Sequence, residues 1–211
     1  MKNFLKELDE AIGTEYANYD LNKIDFLYEN FSPSNIIESL QQNIQNSDYH
    51  FMTGNCGILA LSLDLIFGNH DNGSFVILST DRGYDDDEQD FIDEEDEDSE
   101  LDYLSRLSMF GEMQHILWIN KDGVIFDILG NRNNIEDAII ESNDFYDQLG
   151  YSEKKLMPVY FNKSQVDRVD LYTQILRGTR NEYEHPLELV NNIYDLLHPT
   201  LNKQNNRKHT F

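Results

Sequence analysis

Three residues that together support thiol chemistry occur along the chain: a cysteine, then a histidine, then an aspartate. They are Cys56, the single cysteine of the 211 residues, His115 and Asp127. A thiol attacks a carbonyl carbon only as a thiolate, so it needs a neighbour that lowers its pKa, commonly the first turn of a helix and an imidazole. An aspartate can orient that imidazole and stabilise its charged form. These residues are therefore the candidate nucleophile, base and orienting acid.

The segment that begins at Cys56 is predicted to be a buried helix. Residues 56–68, CGILALSLDLIFG, are apolar on nearly all sides and end at a glycine suited to a left-handed cap. At the start of this helix, Cys56 would face unpaired N–H groups and the positive end of the helix dipole. Gly57 would let a substrate approach closely, and the Cys56 N–H is a candidate oxyanion donor. The alternative is that Cys56 is a small core residue, as many free cysteines are.

Residues 115–130, HILWINKDGVIFDILG, predict a β-hairpin in which two apolar runs flank a short polar loop. A loop of residues 121–123 with Gly123 in the left-handed bulge position would pair Asn120 with Val124. A loop of two or four residues would instead place His115 and Asp127 on opposite faces of the hairpin. The loop type therefore decides which side chains meet.

With the three-residue loop, His115 lies diagonal to Asp127 on one face of the hairpin. The β-carbons of such a diagonal pair are roughly 7 Å apart, so the two side chains can reach each other. Each residue also has a structural alternative, because a histidine at a strand start is often simply hydrogen-bonded and an aspartate in a strand can pair with an arginine or the backbone. The opposite face is predicted to be core, formed by Ile116, Trp118, Phe126 and Ile128.

The remaining periodicity predicts an α+β fold in which helices flank an antiparallel sheet that carries the hairpin. We predict a single domain over residues 1–200, a disordered acidic insertion at about 81–102 and a flexible tail over 201–211. The other predicted helices are 3–18, 33–46, 134–149, 164 to about 176 and 186 to about 197, and the other predicted strands are 74–79 and 156–161, the latter at a sheet edge because of Pro158.

The charge of the chain limits the kinds of partner. The net charge is −24, and residues 85–100 contain twelve acids and no base. A field of this sign opposes binding to nucleic acids, whose affinity for proteins depends on Lys and Arg neutralising phosphates. It favours a basic protein surface, a polyamine or a cationic peptide, although acidic runs often serve only solubility. Because the run lies between nucleophile and base, we also consider that it steers a basic substrate to the site.

The blocks GNCGILALSLDLIFG and HILWINKDGVIFDILG, about thirty residues together, resemble the Cys-helix and His-Asp hairpin of papain-like and transglutaminase-like cysteine enzymes, including bacterial glutamine deamidases and toxin-type peptidases. The resemblance assigns Cys56, His115 and Asp127 as nucleophile, base and orienting acid. It implies a papain-like fold and reaction through a thioester: peptide or isopeptide hydrolysis, glutamine deamidation or acyl transfer to an amine. These families often have a Gln or Asn before the cysteine that completes the oxyanion hole, and the candidates here are Asn55 and His50.

Other function classes receive less support. No apolar run approaches the roughly 20 residues that span a bilayer, and the amino terminus has no signal-peptide pattern, so we expect a cytoplasmic protein. The histidines do not show metal-ligand spacing, and we expect no metal or cofactor. The main rival is a non-enzymatic acidic binding or inhibitory protein, possible also on a degenerate papain-like fold. Replacing Cys56 would abolish the activity of an enzyme, whereas deleting residues 85–100 would disable a charge-driven inhibitor.

Overall fold

The computed structural model describes residues 1–14, 20–71, 73–81, 111–150, 156–161, 167–178, 183 and 185–208. Helices and strands account for most of these ranges. The helices are α1 (Lys2–Ile12), α2 (Leu21–Asn30), α3 (Pro33–Asn43), α4 (Ser47–Met52), α5 (Cys56–Asp71), α6 (Ile135–Gln148), α7 (Arg168–Gly178) and α8 (Pro186–Lys208). The strands are β1 (Ser74–Asp81), β2 (Gly111–Ile119), β3 (Ile125–Asp127), β4 (Gly130–Arg132) and β5 (Leu156–Phe161).

The five strands form one antiparallel sheet in the order β4-β3-β2-β1-β5. One face packs against the apolar helix α5 and, with the other helices, forms the main hydrophobic core. The opposite face forms a smaller apolar cluster to which α6 contributes Ala138. The predicted α+β class and the edge position of β5 are both confirmed.

The hairpin between β2 and β3 has the predicted loop and register. Trp118 pairs with Phe126, and the Asn120 N–H donates to the Val124 carbonyl at 3.0 Å. Gly123 is left-handed, with φ +79°, a conformation that costs other residues strain. The Asn120 side-chain oxygen also accepts from the Asp122 and Val124 N–H groups. The loop therefore closes on itself and holds the strands in the register that brings His115 diagonal to Asp127.

A buried carboxylate connects the two elements that carry the candidate nucleophile and base. Asp64 lies two turns into α5 and is fully buried. It accepts hydrogen bonds from Trp118 Nε1 of β2 at 3.1 Å, from Tyr172 Oη at 2.7 Å and from Arg168 Nη2 at 3.0 Å, the last two on α7. A charge in the core is tolerated only when it is paired and hydrogen-bonded in this way. Asp64 thus fixes α5 relative to β2 and α7.

Several predicted boundaries were wrong. α5 does not end at Gly68 but continues to Asp71, α1 ends at Ile12, and the last helix runs to Lys208 rather than stopping near Leu197. Residues 201–208 of the predicted tail are thus helical, and the helix passes through Pro199. α2, α4 and β4 were not predicted; α4 and β4 have only six and three residues, too few to show a periodicity. The predicted acidic insertion, at about 81–102, lies outside the described residues except for Asp81, which ends β1.

No helix in the described ranges combines the length and the apolar composition that crossing a bilayer requires.

The left-handed loop glycine gives a first prediction. Gly123→Ala should lower the free energy of unfolding by about 1 kcal/mol, because alanine is strained at this φ while the space around the site is open. Gly123→Asn should cost less, since asparagine tolerates the left-handed region. Urea unfolding measures both, with Asp122→Ala as the control in the same loop. Equal effects of alanine and asparagine would contradict the explanation.

The buried carboxylate gives a second prediction. Asp64→Ala should destabilise the protein by about 3–5 kcal/mol, because it leaves the Arg168 guanidinium and two further donors without their acceptor. The matched control Tyr172→Phe removes a single donor and should cost about 1 kcal/mol. Thermal and urea unfolding would compare the two variants. An Asp64→Ala protein as stable as Tyr172→Phe would show that Asp64 does not anchor α5.

Candidate functional site

Cys56 is the first residue of α5 and follows the short helix α4 after a three-residue turn. The turn ends at Asn55, whose carbonyl accepts the first helical hydrogen bond, from Leu59 N at 3.1 Å. The N–H groups of the first turn have no acceptor within the helix, so they and the helix dipole favour negative charge at this end. Only 4 % of Cys56 is exposed, and the residue belongs to the main core.

His115 reaches the site from β2, beside an irregularity in the sheet. It pairs with Leu78, while the next pair is Ser79 with Met113, so β2 has one extra residue immediately before the histidine. Bulges of this kind redirect a side chain locally and are frequent next to active sites. The His115 ring is almost completely buried, and its Nε2 lies 2.9 Å from Asp127 Oδ2. The sequence-predicted contact between base and acid is therefore present.

Asp127 ends β3 and is held by three donors. His115 donates to Oδ2, while the Leu129 N–H, at 2.8 Å, and Arg132 Nη1, at 2.6 Å, donate to Oδ1. Burial by itself raises the pKa of Asp127, but the hydrogen bond and charge of His115 and the Arg132 guanidinium together lower it. Asp127 is consequently a carboxylate at neutral pH, despite its burial.

The state of Asp127 decides which nitrogen of His115 carries the proton. A carboxylate can only accept a hydrogen bond, so Nε2 must be protonated. The other nitrogen, Nδ1, is buried and has no hydrogen-bond partner among the described residues. It is the ring atom left to exchange a proton with a thiol, and the Cys56 thiol is close enough to influence the ring.

The pKa of His115 reflects both neighbours. Burial by itself lowers this pKa, but the hydrogen bond to Asp127, the charge of Asp127 and the neighbouring Cys56 thiol outweigh burial and raise it from 6.5 to about 9. A proton on His115 is thus favoured by the Asp127 carboxylate. This arrangement suits a thiolate and imidazolium pair.

The three residues considered for the oxyanion hole lie on α4, in the turn that follows it and at the start of α5. His50, on α4, lies with Nε2 3.3 Å from Asn55 Nδ2, and the same amide nitrogen donates to the His50 carbonyl at 3.3 Å. The Asn55 amide is therefore hydrogen-bonded to His50. Gly57 is the buried second residue of α5. The backbone N–H groups of Cys56 and Gly57, in the first turn, are better placed by helix geometry to receive an oxyanion.

Two charged residues of the site were missed from the sequence. Arg132, on the short strand β4, binds Asp127, and its Nε donates to Glu141 Oε2 at 2.8 Å, with Nη2 of the same arginine donating to that oxygen as well. A buried aspartate requires a cation or several N–H donors, and Arg132 is the first arginine after Asp127. That requirement was the available signal, but β4 itself was not predicted.

The other candidate ligands do not assemble into a cofactor site. In the part of the chain that the structure describes, no cluster of three or more His, Cys, Asp or Glu side chains is arranged to hold a metal ion. Asp64 binds the core donors named above, and His185 accepts from Leu187 N at the start of α8, as expected for a helix-boundary residue.

The chain matches no protein-family model, no curated protein and no solved structure. The resemblance to papain-like and transglutaminase-like enzymes therefore depends on the two sequence blocks. What the structure adds is the contact between His115 and Asp127 at the tip of the cysteine helix.

The raised pKa of His115 predicts a pH-dependent stability. Since this pKa is higher in the folded chain, about 9, than the ordinary 6.5, the protonated ring stabilises the fold fully below pH 6.5 and loses this contribution as the pH rises through about 9. A shift of this size corresponds to a contribution on the order of 3 kcal/mol. The difference in unfolding free energy between wild type and His115→Gln should therefore be largest at low pH and shrink as the pH rises.

Urea unfolding at a series of pH values tests this dependence. His198→Gln is the matched control, because it removes an imidazole that stacks on Tyr194, at another place in the protein. A difference between wild type and His115→Gln that stays constant across the range would contradict the raised pKa.

Proposed function

We propose that this protein is a cysteine-dependent hydrolase or acyl-transfer enzyme with a papain-like arrangement of its catalytic groups. Cys56 is the nucleophile, His115 the base and Asp127 the acid that orients the base. The observation that supports this most directly is the buried 2.9 Å contact between His115 Nε2 and Asp127 Oδ2, which leaves Nδ1 to serve the thiol. Each group then has a defined task in the reaction.

In the reactive state the proton of Cys56 lies on His115 Nδ1, so that the sulfur is a thiolate and the ring an imidazolium. Asp127 stabilises the imidazolium, and the first turn of α5 stabilises the thiolate. The thiolate attacks an amide carbonyl carbon, and the oxyanion that forms accepts hydrogen bonds from the N–H groups of Cys56 and Gly57. His115 then gives its proton to the leaving amine, which leaves a thioester. Water or an amine attacks this thioester and releases the thiol.

The alternative role for Cys56, a small core residue, agrees with its 4 % exposure but not with its surroundings. An inert thiol packs best against apolar side chains. Here its neighbour is the buried His115 imidazole, which is bonded to a buried carboxylate that is in turn bonded to a buried guanidinium, and taking such charges out of water costs several kcal/mol per ion before they interact. Packing alone does not require them. A substrate carbonyl can reach the sulfur only if groups around the helix tip move, so turnover includes an opening step.

The proposed substrates are proteins or peptides attacked at a peptide, isopeptide or glutamine amide bond. The net charge of −24 favours basic substrates, because an acidic protein attracts cationic groups at long range. The same charge is the observation that supports the rival function, an acidic protein that binds a basic surface. The two functions differ in their dependence on Cys56, since only the enzyme requires its sulfur.

Alkylation of the single cysteine tests the thiol chemistry directly. We expect iodoacetamide to modify folded Cys56 at neutral pH faster than it modifies the unfolded chain. His115→Gln should slow the folded reaction at least about tenfold, because the base that ionises the thiol is lost. Mass spectrometry follows the adduct, Cys56→Ala gives the background and His198→Gln is the remote histidine control. Slower labelling of the folded protein, with no effect of His115→Gln, would identify Cys56 as an inert core residue.

The reaction class can be determined with a mixture of lysine-rich and neutral proteins. After incubation, mass spectrometry distinguishes new chain termini from conversion of glutamine to glutamate and from amine transfer. Whichever of these products forms with wild type should be absent with Cys56→Ala. A binding function unaffected by Cys56→Ala, with no product formed, would favour the acidic inhibitor.

A further inference from the structure

Arg132 is a buried arginine placed behind the proposed catalytic acid. Only 4 % of its side chain is exposed, against 48 % for its second partner, Glu141 on α6. Nη1 donates to Asp127 Oδ1 at 2.6 Å, and Nε and Nη2 both donate to one Glu141 oxygen. The guanidinium is thus fixed by two carboxylates, one inside the site and one near the surface.

The bonds of Arg132 complement those of His115. Asp127 presents one oxygen to His115 and the other to Arg132 and the Leu129 N–H. With both oxygens occupied, rotation of the carboxylate would break charge-assisted hydrogen bonds, which are about twice as strong as neutral ones. A planar guanidinium suits this purpose, because its fixed fork of donors binds two acceptors in a defined geometry.

We propose that Arg132, held by Glu141, is a positioning residue that keeps Asp127 ionised and turned toward His115. This inference depends on the proposed function, which it deepens. Arg132 touches neither the thiol nor the base in any contact described above, so it acts through Asp127. The catalytic series then extends from Cys56 through His115 and Asp127 to Arg132 and Glu141, and links the helix tip to the surface of α6.

A purely structural role is the competing explanation, because Arg132 also joins β3 and β4 to α6. Replacing a buried ion pair by apolar groups is often neutral for stability, so stability alone cannot separate the two roles. The charge and hydrogen-bonding state of Asp127 can. His115 from β2 and Arg132 from β4 act on Asp127 directly. Cys56 from α5 acts on His115, and Glu141 from α6 acts on Arg132.

The test uses the double variant Arg132→Met with Glu141→Gln, which removes the pair and preserves net charge. Two properties of the intact protein are measured: the pH profile of Cys56 alkylation, and the NMR signal of the His115 Nε2 proton. Loss of a cation beside a carboxylate raises its pKa by about one unit or more. We therefore expect the acid edge of the alkylation profile to move up by about one pH unit, and the Nε2 proton to move upfield and exchange faster.

Two further variants complete the design. Arg132→Lys keeps the charge with a single donor group, so its acid edge and its Nε2 signal should lie between those of the double variant and wild type. The same variant replaces the double variant if that protein does not fold. The double variant Lys23→Met with Asp195→Asn is the matched control: it removes an ion pair between α2 and α8, preserves net charge and should leave the acid edge in place.

The outcomes separate the inference from the proposed function. An acid edge and an Nε2 signal unchanged in the Arg132 variants, with alkylation still dependent on His115, would overturn the positioning role and leave the enzyme proposal intact. Alkylation independent of His115 would overturn the enzyme proposal, while the Nε2 signal would still report whether Arg132 holds Asp127. A shift of equal size in the Lys23→Met with Asp195→Asn control would also overturn the positioning role.

Discussion

The contact between Asp127 and His115 is the constraint on which the site depends. A carboxylate removed from water must have its lone pairs occupied, and here an imidazole, a guanidinium and a backbone N–H provide the donors. The same bonds determine the tautomer of His115 and leave Nδ1 for the thiol. One satisfied carboxylate thereby sets the orientation, the charge and the proton of the group that activates Cys56.

The fold supports this contact from both sides. On the side of the nucleophile, Asp64 binds Trp118 of β2 and residues of α7, so that α5 has a defined position over the sheet. On the side of the base, the loop at Gly123 sets the hairpin register. Asp64 is a polar group and Gly123 a left-handed turn residue within an otherwise apolar framework, and each fixes the position of one element relative to another.

Charge is distributed unevenly between the chain as a whole and the site. The chain carries a net charge of −24, yet the groups around Asp127 include an arginine and a histidine whose pKa is raised to about 9. A cationic imidazole beside Cys56 is what a thiolate needs, whereas the overall acidity of the chain acts on the approach of partners. Under the proposed function, the net charge of the chain acts on the encounter with the substrate and the local charge acts on the bond chemistry, so the two are compatible.

The sequence by itself determined the helix that starts at Cys56 and the hairpin around Gly123, because these follow from local apolar patterning and turn chemistry. It left the loop length open, and with it the shared face of His115 and Asp127, and it could not determine the burial of Cys56, the bulge before His115 or the ends of α1, α5 and α8. Arg132 and Glu141 also required the tertiary structure, since they meet Asp127 only when a strand of three residues and a separate helix pack together, and no local pattern encodes that packing.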